Sequence, residues 1–373
     1  MKCAAIINPV SGRGLAAREW PRLLESLASG VRPQVTWVTE GPGHAVLLAA
    51  EARRRGCERI VVAGGDGTLN EVVNGLWFEP AGRLPIVGMV PFGTGCDYVR
   101  NFHTGSNPAE QLRTALGDSV VKVDVGSCRL KGLDGRPVER VFVMVLGGGF
   151  DALVVKRFRQ QRLVRRGKSA YALSVIQELA LLRPFRLVGE ADGKPINTQS
   201  ILFAAGLGRY FGGGMMIAPG ASPLAGHFQL LWGESLSRWE ILSLLPKIYL
   251  GKHVGHPQIR SLRARRVKLF SDPEVYVQAE GELIGRTPLE LVVHPGSLPF
   301  AATAERKEAH PAKEYLQHFH ASGAFHVKDL WHHNIIPATT SVPHQRPCRK
   351  NRKGSPGIEA FGGSFRRLLA RCR

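Results

Sequence analysis

The strongest chemical signal is a run of eight residues, Gly64-Gly65-Asp66-Gly67-Thr68-Leu69-Asn70-Glu71. It follows the apolar run Ile60-Val61-Val62-Ala63, which reads as a buried strand. Glycines at such a strand end let backbone N–H groups approach phosphate oxygens. Asp66 is placed to reach a hydroxyl or a metal-bound phosphate. The helix that begins near Thr68 turns its positive end toward the same point. The plainer reading is a tight strand-to-helix turn that needs glycine for backbone reasons alone. Two similar loops argue against it: Asn8-Pro9-Val10-Ser11-Gly12-Arg13-Gly14 and Pro91-Phe92-Gly93-Thr94-Gly95. No Gly-x-Gly-x-x-Gly occurs, and no complete Gly-x-x-x-x-Gly-Lys-Ser/Thr. In Gly167-Lys168-Ser169 the required first glycine is Arg162.

These loops need elements to hold them. Cys3 to Ile7 reads as a strand, Leu15 to Leu27 as a helix, Val35 to Val38 as a strand and Ala45 to Ala52 as a helix. Leu69 to Trp77 resumes helical spacing, and Ile86 to Val90 is another strand. Strand, loop and helix in alternation predict an α/β domain with a parallel sheet covered on both faces. Ligands of such sheets sit at the carboxyl ends of the strands, where all three glycine loops fall. After about residue 120 the pattern changes. Val120 to Val125, Val138 to Leu146, Ser200 to Ala205, His227 to Trp232, Arg266 to Phe270, Val275 to Gln278 and Leu289 to Val293 read as strands. Helical spacing returns mainly at Tyr171 to Leu182 and Trp239 to Leu250. The organisation expected is an α/β domain over 1–125, a β-rich second domain over 126–303, and a basic, His-rich, poorly ordered tail over 304–373.

Composition narrows the class. The chain has 373 residues, 44% hydrophobic and 21% charged, which suits a globular protein of about two domains. No apolar run approaches the roughly 18 residues of a membrane span, and the N-terminus carries no signal-peptide pattern. Six cysteines without a Cys-x-x-Cys pair argue against a zinc site and a disulfide framework, and fit a reducing cytosol. The net charge of +20 calls for an anionic partner: nucleic acid, an anionic lipid surface or a phosphorylated ligand. Lys156, Arg157, Arg159, Arg162, Arg165, Arg166 and Lys168 form one basic cluster; Arg260, Arg263, Arg265, Arg266 and Lys268 form another. Each reads either as a solvated face or as a docking surface for anionic headgroups. No nucleic-acid motif accompanies them. The tail histidines His310, His318, His320, His326, His332 and His333 offer metal ligands, but their irregular spacing and the lack of a Cys or carboxylate pattern favour a poorly ordered tail.

Taken in order, the motifs resemble the diacylglycerol kinase catalytic-domain family, which includes bacterial lipid kinases and sphingosine and ceramide kinases. The matching segments are Asn8 to Gly12, Thr39 with Gly43-His44-Ala45, Gly64 to Leu76, Pro91 to Asp97, Gly147 to Ala152, Gly212-Gly213-Gly214 with Ala218-Pro219, and Gly281-Glu282. They span about residues 1–303. The resemblance implies an NAD-kinase- or diacylglycerol-kinase-like α/β nucleotide-binding domain, a β-rich domain, and substrate between them. It implies ATP, with Mg2+, as phosphoryl donor and a lipid hydroxyl of diacylglycerol or sphingoid-base type as acceptor, on a cytoplasmic protein that visits the inner membrane surface. Carried over by position, Asn8, Gly12, Thr39, Gly64, Gly65, Gly67, Thr68, Asn70, Glu71 and Thr94 contact the nucleotide. Asp66 and Glu282 are the catalytic carboxylates, Glu282 as proton acceptor. A β-turn glutamate without a role is the alternative for Glu282. Several positions depart from the family pattern: Cys96 stands for asparagine, Glu280 for aspartate, Ala225 for a magnesium-site aspartate, and Met144 and Leu207 for asparagines. The metal ligands therefore stay unassigned. The departures keep open a catalytically impaired nucleotide- or lipid-binding homologue, and the shared central motif keeps open an NAD-kinase-like small-molecule kinase.

Overall fold

The computed structural model describes residues 2–93, 95–161 and 168–303. Thr94, Arg162 to Gly167 and the tail from Ala304 lie outside the described residues, and so do the expectations that rest on them.

Four strands pair in parallel: β1 (Cys3–Ile7) lies between β2 (Val35–Val38) and β3 (Arg59–Gly64), and β3 pairs β4 (Ile86–Pro91). The alternation of strand side chains decides which helices cover which face. Ala4, Ile6, Ile60 and Val62 pack under α2 (His44–Arg54) and α3 (Asp66–Phe78). Ala5, Ile7, Val61 and Ala63 pack under α1 (Ser11–Glu25) and α4 (Pro108–Leu116). A Cβ at Gly75 would stand 2.1 Å from the Val46 carbonyl oxygen, so only glycine lets α3 lie this close to α2.

The remaining strands are antiparallel. They are β5 (Val120–Lys131), β6 (Pro137–Phe142), β7 (Val145–Gly149), β8 (Phe185–Ala191), β9 (Lys194–Gly206), β10 (Phe228–Glu234), β11 (Ile259–Ala264), β12 (Arg266–Asp272), β13 (Tyr276–Ala279) and the long β14 (Glu282–Ala301). Six of them close a ring, in the order β7, β9, β8, β12, β14, β13 and back to β7. Leu187, Phe203, Leu269, Val277 and Leu291 belong to the buried cluster associated with this ring. The end of β14 reaches back to β4, where Phe300 pairs Val87 in parallel. The parallel strands and the antiparallel ring are therefore parts of one sheet. Helices α5 (Phe150–Gln161), α6 (Lys168–Ala180) and α7 (Arg238–Tyr249) lie outside the ring. Among the described residues no helix is long and apolar enough to cross a membrane.

The expected single strand Val138 to Leu146 is two strands. The ladder is interrupted at Val143 and Met144, whose N–H groups go instead to the carboxylate of Glu280, at 2.7 and 3.0 Å. Elements α4, α5, β8 and β11 had no sequence expectation. In α5 the basic residues mask the apolar positions Phe150 and Val154 that pack against α6 and α7.

Candidate active site

Three loops leave neighbouring parallel strands at the same end and touch one another. After β1, Gly12, Arg13 and Gly14 are all left-handed, at φ 61°, 60° and 89°, and a Cβ on Gly12 would stand 2.4 Å from the Phe92 carbonyl oxygen. After β3, Gly65 faces Gly93: a Cβ on Gly93 would lie 2.6 Å from the Gly65 Cα. Thr68, in the first turn of α3, tucks over Gly64 and accepts a hydrogen bond from Asn8 Nδ2 at 3.0 Å. Asn8, Gly12, Gly64, Gly65 and Thr68 are thus brought together, while Gly67 sits exposed at the helix start. The N–H end of α3 closes this backbone cradle, an arrangement suited to phosphate groups.

The carboxylates divide by partner. Asp66 accepts from the backbone N–H groups of Asp97 (2.9 Å) and Tyr98 (3.1 Å), so it fixes the loop after β4. Burial nevertheless raises its pKa above the ordinary aspartate value. Asp97 is buried, accepts from Gly213 N at 2.7 Å and lies 3.2 Å from the Arg100 guanidinium. Burial, then the charge of Asp66, pushes its pKa up to about 6. Asp97 thereby ties this loop to the Gly212–Gly214 turn. Thr39 is buried at the end of β2, its N–H on the Ile7 carbonyl at 2.8 Å. Glu71 accepts from Gly43 N (2.9 Å) and Ala45 N (3.2 Å), and so caps the start of α2. Asn70 accepts from Asn74, which also bonds the Val141 backbone and stitches α3 to β6. Both Glu71 and Asn70 line a shallow groove shared with Glu282 and Arg140.

The hairpin between β13 and β14 carries the remaining acids. Glu280 and Gly281 form its two-residue turn with φ of 52° and 81°, the positive pair that matches strand twist. This turn sends the Glu280 carboxyl inward, onto Val143 N and Met144 N. Its second oxygen, Oε2, is buried with no protein partner. Burial, with smaller contributions from Asp66 and Glu282, pushes the Glu280 pKa up to about 8. Glu282, expected to be the proton acceptor, is half-exposed and pairs with Arg159 at 3.3 Å. Gln278 supports the turn: its Oε1 accepts from Gly281 N at 2.9 Å and its Nε2 donates to Asp151 at 3.0 Å. Asp151, raised by burial to about 6, projects where a Cβ on Gly147 would collide with it. The sequence marked Glu280 only as a departure and Asp151 only as a landmark. The readable signal was a Glu-Gly pair between two alternating apolar runs.

Among the described residues no three His, Cys, Asp or Glu side chains gather as ligands. Where the resemblance implied an aspartate beside Gly226, Asp124 itself accepts from Gly226 N (2.5 Å) and Gly296 N (2.8 Å), which spends both its oxygens on backbone. These residues do not fit a structural metal. A magnesium ion held mainly by nucleotide phosphates needs only one or two carboxylates.

A small apolar cleft lies beneath α7, walled by Leu202, Ile217, Leu231, Ile241, Leu244 and Ile248 among others. His253 also lines it; its Nε2 bonds the Ile217 carbonyl at 2.9 Å and burial lowers its pKa. Ile217 and Leu231 belong to the same buried cluster as Met144, whose N–H holds Glu280.

Comparison with known proteins gives this site its class. Residues 2–128 match the diacylglycerol kinase catalytic domain, and residues 144–302 match the YegS C-terminal NAD kinase beta sandwich-like domain. A diacylglycerol kinase of Mycobacterium tuberculosis is 31% identical over 303 residues, covering 80% of this chain and 94% of that protein. Another, from Staphylococcus haemolyticus, is 30% identical over 288 residues, covering 77% and 84%. A solved diacylglycerol kinase structure from Bacillus anthracis str. Sterne has a TM-score of 0.58 at 20% identity, covering 81% of this chain and 96% of that one, and so shares its fold. The chain belongs to the diacylglycerol kinase family, and it is a phosphotransferase that takes an alcohol group as acceptor.

Proposed function

We propose that this protein transfers the terminal phosphoryl group of ATP to the hydroxyl of a diacylglycerol-type lipid. The observation that carries the reading is Glu280: a buried carboxyl with one unpartnered oxygen, held in the field of Asp66 at the edge of the glycine-loop cradle. A raised pKa suits a group that must take a proton near neutral pH. Glu280, rather than Glu282, is the better proton acceptor on these grounds, and Glu282 with Arg159 forms the outer rim.

In this reading residues 1–125 hold the nucleotide and 126–303 the lipid. Backbone N–H groups of the loops at Gly12, Gly65 and Gly67 orient the triphosphate, and the α3 N-terminus favours its charge. Bound magnesium supplies charge neutralisation at the phosphate oxygens. Asp66 keeps the loop after β4 in place, and Glu280 receives the proton as the lipid oxygen bonds to the γ-phosphorus and the bond from that phosphorus to the bridging oxygen breaks, releasing ADP. The apolar end of the lipid enters at the cleft beneath α7, which is lined almost wholly by aliphatic side chains. The protein meets its substrate at an anionic bilayer through its basic surfaces, which its charge of +20 favours.

The cavity gives a direct test. Leu244→Trp adds volume to its wall while leaving the glycine loops untouched. The expected result is a rise of about tenfold or more in KM for long-chain diacylglycerol, the scale of losing one to two buried methylenes' worth of contact per chain. KM for ATP should stay within about twofold. Unchanged lipid kinetics in a folded Leu244→Trp variant would remove the cavity from the substrate path.

A further inference from the structure

We propose that Tyr276, Lys156 and Arg286 form a binding site for a phosphate group, separate from the nucleotide cradle. On β13, Val277 and Ala279 are buried in the antiparallel core, so Tyr276 and Gln278 share the opposite face, against α5. There the Tyr276 hydroxyl accepts two hydrogen bonds, from Lys156 Nζ at 2.9 Å and Arg286 Nη2 at 2.7 Å. The same two cations lie 4.2 and 4.5 Å from the ring centroid.

A phenol has two acceptor lone pairs and one proton. Both lone pairs are engaged here, which leaves the O–H to donate outward. Lys156 keeps further N–H donors, and Arg286 Nε has no partner. Among the described residues neither cation has a carboxylate partner. The neighbouring acids are taken by other cations: Glu282 by Arg159, Glu178 by Arg157 and Glu274 by Lys131. The result is a set of donors carrying two uncompensated positive charges and no acceptor but the phenol. An oxyanion with several acceptor oxygens satisfies that set, and a phosphate group does so with charge-assisted bonds. Tyr276 lies two residues, about 7 Å, along the strand face from Gln278, which holds the Glu280 turn. The phosphate would thus be bound beside the candidate acceptor site. Its source is either the headgroup of an anionic phospholipid in the bilayer or a soluble phosphate ester.

Binding is measured without ATP, so the result stands apart from the kinase reading. Co-sedimentation with phosphatidylcholine vesicles containing phosphatidylglycerol serves the first source, and calorimetric titration with glycerol phosphate the second. The decisive variant is Tyr276→Phe, which keeps both cations and the ring and removes only the hydroxyl; Arg286→Gln removes one charge. Wild type should bind at least one probe, and Tyr276→Phe should weaken that binding about tenfold, the scale of one hydrogen bond to a charged group. Arg286→Gln should weaken it at least as much, with both variants melting cooperatively. Loss with vesicles alone assigns a membrane headgroup; loss with both probes assigns a phosphate ester in general. Wild-type binding by Tyr276→Phe, with or without loss in Arg286→Gln, would overturn the site and leave only diffuse surface charge. So would failure of the wild type to bind either probe.

Discussion

Glu280→Gln is expected to lower turnover by about 100-fold or more, the usual effect of removing a positioned acid or base. ATP affinity should change little, because the carboxyl bonds Val143 N and Met144 N and none of the glycine loops. In the wild type, kcat/KM should rise with pH and level off above a midpoint near 8, since the pKa of the free enzyme's carboxyl is pushed up to about 8. The residual activity of Glu280→Gln should lack that rise. Stability gives an independent sign. A carboxyl whose pKa is raised on folding holds its proton more tightly in the native state. Its contribution is therefore fully present below the unfolded value near 4.5 and is lost as pH rises toward 8. The melting temperature of Glu280→Gln should fall less steeply across that window than that of the wild type. An activity profile identical in both proteins would remove Glu280 from the chemistry.

Asp66→Asn is expected to be comparably severe for a different reason. The change is nearly isosteric, yet both Asp66 oxygens accept from backbone N–H groups, and the amide can present only one acceptor to them. The other contact becomes donor against donor, and the loop at Asp97 and Tyr98 shifts away from the glycine cradle. A displacement of about 1 Å at a reacting centre costs on the order of 100-fold, so turnover should fall by at least that much. Unlike Glu280→Gln, this variant should also raise KM for ATP. Asp66 contributes to the raised pKa of Glu280. Removing its charge should therefore move the midpoint of the residual pH profile below the wild-type value. A midpoint that stays put would mean the two carboxylates do not sense each other.

The glycine loops were legible in the sequence because close backbone approach leaves a composition signature: Gly12 and Gly93 are needed where a Cβ would strike a neighbouring loop. The alternation of Ala4 with Ala5 and Ile6 with Ile7, buried on opposite faces, made the parallel strands readable as well. The side-chain roles were less visible. Glu71 lies in the central motif, but its carboxylate caps α2 from 28 residues away, a pairing that no local pattern encodes. Glu282 stood out beside a glycine, whereas the hairpin geometry turns Glu280 inward and leaves Glu282 on the rim. The break at Val143 and Met144 was invisible because the interrupting partner, Glu280, comes from 137 residues further along the chain. Phe300 joins Val87 and merges the two sheets through a comparably distant contact.

The most direct measurement is transfer of label from γ-labelled ATP over a panel of diacylglycerol, monoacylglycerol, sphingosine and NAD, with Asp66→Asn and Glu280→Gln run alongside. The account predicts label in diacylglycerol, in a product that extracts into organic solvent, and its loss in both variants. Label in NAD, or no labelled product from the wild-type protein with any lipid on the panel, would contradict it.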